Sequence, residues 1–178
     1  AQTMAWIMDT YSQFKGYSVP ECVTGKPLSV GGSEGRAEAT SLGVVVCARE
    51  TAKHLGLQFK GSAVAVQGFG NVGWNAAKIM YDMGCKIVAV SDSQGGIYCP
   101  KGVNPYEIYK HKSKTGSVIN YEECTNITNE DLLETECDIL IPAALENQIT
   151  GANAANVKAK RLWRKAPTDQ QPQKQTKC

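Results

Sequence analysis

The run Val64-Ala65-Val66-Gln67-Gly68-Phe69-Gly70-Asn71-Val72-Gly73 leads from a short apolar stretch into three glycines spaced G-x-G-x-x-G. That spacing suits a pyrophosphate. The first glycine permits a tight turn, the second lets main chain approach the phosphates, and the third lets a following helix pack closely on the strand. The helix N-terminus adds N–H groups without helical partners and a partial positive charge. Asp92 stands 19 residues beyond Gly73. A dinucleotide-binding unit places an acid for the ribose hydroxyls about 20 residues on. A bare glycine pattern also serves plain turns, so the specificity comes from the order of strand, glycines, helix, second strand and terminal acid.

The elements that must hold these residues are legible as periodicities. Residues 63–67 and 86–91 read as strands flanking a helix over 71–83, a βαβ unit. Asp92-Ser93-Gln94-Gly95-Gly96 has turn chemistry. Upstream, Met4, Ile7, Met8, Tyr11 and Phe14 recur at helical spacing and are expected to form a core stripe. Residues 16–36 are rich in Gly and Pro and read as loop. A helix is expected over about 37–55, with Leu42, Val45, Val46 and Ala52 inward and Gly56 at its C-terminal cap. Downstream, 106–112 reads as a short helix. Thr128-Asn129-Glu130-Asp131 opens another as a capping signal with Asp in place of the usual Glu. Cys137 to Ile141 reads as a buried parallel strand, and 152–157 as a last short helix. Strands alternating with helices imply an α/β fold: a doubly wound, Rossmann-like parallel sheet covered on both faces.

Composition bounds the function. At 178 residues the chain suits one domain, and 42% hydrophobic with 20% charged residues is ordinary for a globular protein. A net charge of +2 is too small to imply a nucleic-acid surface. No apolar run of membrane length or signal peptide is visible. Seven cysteines without a C-x-x-C, and two histidines, give no zinc-ligand spacing and fit a reducing cytoplasm better than a disulfide scaffold. The expected location is cytoplasmic.

Further motifs carry a family resemblance. These are Gln2-Thr3-Met4-Ala5-Trp6, Val23-Thr24-Gly25-Lys26-Pro27, Gly31-Gly32-Ser33, Arg36-Ala37-Glu38-Ala39-Thr40, the glycine run, Ser91-Asp92-Ser93 with Gly95-Gly96-Ile97-Tyr98, and Ile141-Pro142-Ala143-Ala144-Leu145-Glu146. In this order they resemble the glutamate dehydrogenases of the glutamate/leucine/phenylalanine/valine dehydrogenase superfamily, over residues 1–160. The resemblance implies oxidative deamination of L-glutamate to 2-oxoglutarate and ammonium, with NAD or NADP as cofactor, in a hexamer without nucleic-acid or membrane partners. It implies a nucleotide site in which Thr40, with Arg36 nearby, meets the nicotinamide carboxamide. Gly68, Phe69, Gly70, Asn71, Val72 and Gly73 cradle the diphosphate. Asp92 and Ser93 face the adenosine ribose, and Ala143 and Ala144 line the nicotinamide ribose. Asp92 favours NAD, because a carboxylate repels a 2′-phosphate.

The same resemblance places the family's catalytic Lys and Asp upstream of Ala1, so no catalytic residue is assigned. Residues 1–36 are expected to be a linking helix and loop from a substrate domain, and 37–160 a partial nucleotide-binding domain, C-terminally incomplete and inactive by itself. After Lys160 the resemblance stops. Yet permitted codons for Pro167 to Cys178, read from their third bases, can encode Asn-Gly-Pro-Thr-Thr-Pro-Glu-Ala-Asp-Lys-Met, which resembles the family's next motif. Residues 161–178 are therefore read as a frameshifted, unpacked tail; an intact single frame in the gene across this junction would rule that out. Alternatives are another amino-acid dehydrogenase of the superfamily, a non-catalytic nucleotide-binding remnant, and a serine hydrolase built on Gly31-Gly32-Ser33-Glu34-Gly35 with His54 or His111.

Overall fold

A computed structural model describes residues 1–159 and the backbone of 161–162. Two compact units divide at Thr40/Ser41. The first holds helix α1 (Gln2–Lys15), short 3-10 turns at Pro20–Cys22 and Leu28–Val30, and the first turn of helix α2 (Arg36–His54). Gly16 closes α1 in the left-handed region, at φ 77. The expected core stripe on α1 is not buried: no residue of this helix is, and Phe14 is 83% exposed. Helical spacing marks an apolar face, but a face is buried only where a second layer meets it, and the other elements of this unit are short turns.

The second unit begins inside α2 and continues as β1 (Ala63–Gln67), α3 (Asn71–Asp82), β2 (Lys86–Ser91), β3 (Gly96–Val103), α4 (Pro105–Thr115), β4 (Thr125–Ile127), α5 (Asn129–Leu133), β5 (Ile139–Pro142) and β6 (Arg161–Leu162). One sheet runs β4-β3-β2-β1-β5-β6. The pairs β2–β1, β1–β5 and β5–β6 are parallel, whereas β2–β3 and β3–β4 are antiparallel. The sheet is therefore mixed rather than all-parallel. The turn at Asp92–Gly96 reverses the chain into β3, where a helical crossover would have kept it parallel. The tail expectation lies outside the described residues, save that the backbone of Arg161 and Leu162 pairs with Ile139 and Leu140 as β6.

Side-chain alternation builds a core on each face. Val64, Val66, Ile139 and Ile141 join Val45 and Ala48 of α2 with Ala76, Ala77 and Met80 of α3. Ala65, Ala89 and Leu140 join Leu132 and Leu133 of α5. Burying each large aliphatic side chain contributes roughly 1.5–3 kcal/mol. Helix α2 presents Ser41, Val45, Ala48 and Ala52 inward; Leu42 and Val46, expected inside, are exposed. The expected helix over 152–157 is only a 3-10 turn at Ala154–Asn156.

Pairing of β3 with β4 sets Tyr98 opposite Thr125 and brings Cys99 and Cys124 together as a disulfide, their Cα atoms 4.9 Å apart. Sequence spacing favours a reducing compartment over a disulfide scaffold; this one bridge departs from that reading, which has no β3–β4 ladder to work from. Burial pushes the thiols of Cys85 and Cys137 up to about 11, while Cys22 and Cys47 are exposed. Two pH units of thiolate population predict alkylation of Cys85 and Cys137 about 100-fold slower than of exposed thiols at pH 8. Mass spectrometry after native iodoacetamide treatment checks this, and equal labelling of Cys85 and Cys47 would contradict the packing.

Candidate dinucleotide site

The chain passes from β1 to β2 on one side of β1, then returns to β5 on the other. That reversal is a topological switch point, and ligands of doubly wound sheets bind in the crevice outside the strand carboxyl ends there. Gly68 follows β1 and Ala143 follows β5, so both flank the crevice.

Gly68 has φ +89, and a Cβ on it would lie 2.9 Å from the Ala143 carbonyl oxygen and 3.0 Å from Ala144 N. Only glycine lets these two strand ends approach so closely. The Ala143 amide donates to Gln67 O at 2.8 Å, closing the crevice floor. Gly70 is the N-cap of α3 with open space where a Cβ would stand, leaving its main chain approachable. Gly73 is buried, and a Cβ there would collide with the Gly68 carbonyl oxygen. This is the close helix–strand packing that the third glycine provides. A cradle that side chains would fill fits a diphosphate.

The remaining residues of the loop are fixed by neighbours. The Phe69 ring is buried and meets Trp74 edge-on at 5.8 Å, so its main chain is what the loop presents. The Val72 carbonyl accepts from Ser41 Oγ at 2.9 Å. Asn71 is exposed, with its carbonyl and side-chain oxygen accepting from Asn75 Nδ2. Ala143 and Ala144 are half-buried. Arg36 and Thr40 are exposed residues of α2 in the first unit, the guanidinium 3.5 Å from Thr24 Oγ1.

Asp92 follows β2 and is buried with its side chain 5% exposed. Its Oδ1 accepts from Gln94 N–H at 2.9 Å and Ser117 Oγ at 3.0 Å. Its Oδ2 accepts from Val118 N–H at 2.9 Å and Lys112 Nζ at 3.1 Å. Burial alone pushes this carboxyl up, but the bonds from Gln94, Lys112, Val118 and Ser117 together outweigh it and hold the pKa below the ordinary value. Lys112 also donates to the Phe69 carbonyl at 3.2 Å. On the other side, Asn129 Nδ2 donates to Asp92 O, and Ser91 Oγ donates to Asn129 Oδ1. Ser93 is exposed beside this network. Lys112, Ser117, Val118 and Asn129 were missed by sequence reasoning: they come from helix α4, the loop after it and the first residue of α5, whose apposition to Asp92 depends on the unforeseen β3–β4 pairing.

The hydrolase pattern lacks its geometry. Ser33 follows a 3-10 turn rather than a strand, which a nucleophile elbow requires. His111 Nε2 is engaged with the Ile119 carbonyl at 2.9 Å. No helix among the described residues is long and apolar enough to cross a membrane.

Comparison with known proteins agrees with this architecture. The chain is 52% identical over 161 residues to a glutamate dehydrogenase of Thermotoga maritima, covering 90% of this chain and 39% of the relative. It is 49% identical over 160 residues to a cryptic catabolic NAD-specific glutamate dehydrogenase of Bacillus subtilis, covering 90% and 37%. Among solved structures, the hetero-hexameric glutamate dehydrogenase of Thermus thermophilus in a leucine-bound form superposes with a TM-score of 0.84 at 39% identity, over 92% of this chain and 38% of that one. The chain thus spans under two-fifths of the length of the relatives it matches. The family model for glutamate/leucine/phenylalanine/valine dehydrogenases matches residues 31–166, and the chain belongs to that family.

Proposed function

We propose that this chain is the nucleotide-binding part of an NAD-dependent glutamate dehydrogenase, working on L-glutamate and 2-oxoglutarate in a hexameric assembly. The observation that carries the reading is the pair of close approaches at Gly68 and Gly73, which empties a cradle at the switch point between β1 and β5. NAD supplies hydride acceptance from the substrate α-carbon when bound. The main chain of Gly68 to Gly73 holds the diphosphate with N–H groups and the α3 dipole. Ala143 and Ala144 give the nicotinamide ribose a small, half-buried wall. None of Gly68, Phe69, Gly70, Ala143 and Ala144 carries an ionisable group, so this crevice binds and orients, and no residue of it is assigned to proton transfer. NAD specificity is supported by the Bacillus relative's description as NAD-specific.

Titration of the isotope-labelled chain with millimolar NAD is expected to move the amide resonances of Gly68 to Gly73 while leaving those of α5 in place. Resonances unmoved in a folded sample defeat the reading.

A further inference from the structure

A carboxylate offers about four lone-pair sites on its two oxygens. The Asp92 carboxylate receives four donors from its own chain: Gln94 N–H, Ser117 Oγ, Val118 N–H and Lys112 Nζ. Two of these come from buried residues, Ser117 and Val118. A ribose diol would need to displace one of them, and the displaced donor would then be left unpaired in a nearly dry site. The negative charge is also met at 3.1 Å by the Lys112 ammonium, so little of it remains to oppose a 2′-phosphate.

The network runs back to the diphosphate loop by two routes. Lys112 Nζ, 26% exposed at its side chain, bridges Asp92 Oδ2 and the Phe69 carbonyl. From the other side Asn129 ties the Asp92 carbonyl to Ser91 Oγ, which lies 3.4 Å from Gly68 N. The glycine loop is thereby gripped at two successive residues by groups that Asp92 organises. We propose that Asp92 and Lys112 are positioning residues that set the conformation of the glycine loop, and that Asp92 does not read the ribose hydroxyls. This deepens the proposed dinucleotide site and rests on it.

The two roles separate in binding measurements. Dissociation constants for NAD and NADP are measured by calorimetry on the wild type, Asp92→Asn and Lys112→Met, well below each variant's melting temperature. The expected result is that both variants weaken NAD and NADP together, by about tenfold, the effect of losing one charge-assisted hydrogen bond on the loop. The NADP-to-NAD ratio stays within threefold of wild type, and the Phe69 and Gly70 amide resonances of the free variants are displaced. A ratio that falls tenfold in Asp92→Asn, through gained NADP affinity, means the carboxylate reads the ribose and overturns the inference. Lowered melting temperatures with unchanged constants for both nucleotides mean a structural role only, and also overturn it. Should Asp92→Asn not fold, Lys112→Met decides alone: it leaves the carboxylate in place with one acceptor site freed, so selectively improved NAD binding defeats the proposal and equal weakening supports it. If the wild type binds neither nucleotide, the proposed function itself falls, and this inference with it.

Discussion

Gly73→Ala is expected to abolish dinucleotide binding and to destabilise the fold by roughly 1–3 kcal/mol or more. The added methyl would enter the Gly68 carbonyl oxygen, with the carbonyl carbon at 2.9 Å and Val66 Cγ1 at 3.2 Å. Two of those three atoms are main chain, so no rotamer change relieves the clash. Helix α3 must move off β1, and it carries the buried Ala76, Ala77 and Met80 with it. The displacement opens the core on that face and splays the loop that holds the diphosphate. Gly70→Ala is the matched control. A Cβ there meets nothing within 4 Å and φ is −88, so its stability cost stays within about 1 kcal/mol, that of an altered N-cap. Its methyl nonetheless stands on the open side of the loop and is expected to weaken NAD. Denaturant unfolding and NAD titration of both variants check the contrast. A Gly73→Ala protein that melts and binds like wild type would refute the packing role.

The same glycine explains why so much of the fold was readable. G-x-G-x-x-G has a period and a context that few other structures share, so β1, α3 and β2 fall within a residue of their expected bounds. Capping chemistry was equally local. Thr128 and Asp131 form the reciprocal box, with Asp131 reaching the Thr128 N–H at 3.0 Å. What sequence did not show depends on partners distant in the chain. Strand β3 has Gly96, Pro100 and Gly102 within it, a composition that reads as turn, and only its ladder with β2 makes it a strand. Leu42 and Val46 lie beside the true inner stripe of α2, and a period of 3.6 does not choose between neighbouring stripes when small residues such as Ser41 and Ala48 do the packing. The α1 stripe was real as a pattern, yet burial belongs to two surfaces and the pattern reports one.

Within the candidate site the division is similar. Gly68, Gly70 and Gly73 were identified by what glycine permits; Gly68 sits in the left-handed turn and Gly73 at the close helix–strand approach foreseen for them, and Gly70 stands in open space at the start of α3. Asp92 was identified by its distance from the glycines, which fixes its position at the end of β2 but says nothing of which way the carboxylate turns. Its direction is set by Ser117, Val118 and Lys112, 20 or more residues away, and no local signal encodes them.

That orientation makes acid stability a sensitive readout. Asp92→Asn preserves shape but presents an amide N–H₂ to donors, since Val118 N–H and Lys112 Nζ share one oxygen and Gln94 N–H and Ser117 Oγ the other. The expected loss at neutral pH is about 2–3 kcal/mol, as for removing hydrogen bonds to a buried charge. A carboxyl whose pKa is lower folded than unfolded adds stability that is complete above the unfolded value, 3.8 for Asp92, and is lost as pH falls through the folded value. The wild type should therefore shed its advantage only below pH 3.8, where its unfolding free energy falls toward that of the variant. Asp131, also held low by hydrogen bonds from Thr128, is present in both proteins and cancels in the difference. Urea unfolding of both from pH 7 to pH 2 gives the curve. A difference that stays constant down to pH 2 would mean that folding leaves the Asp92 carboxyl at its unfolded pKa, and the network around it would have to be drawn again.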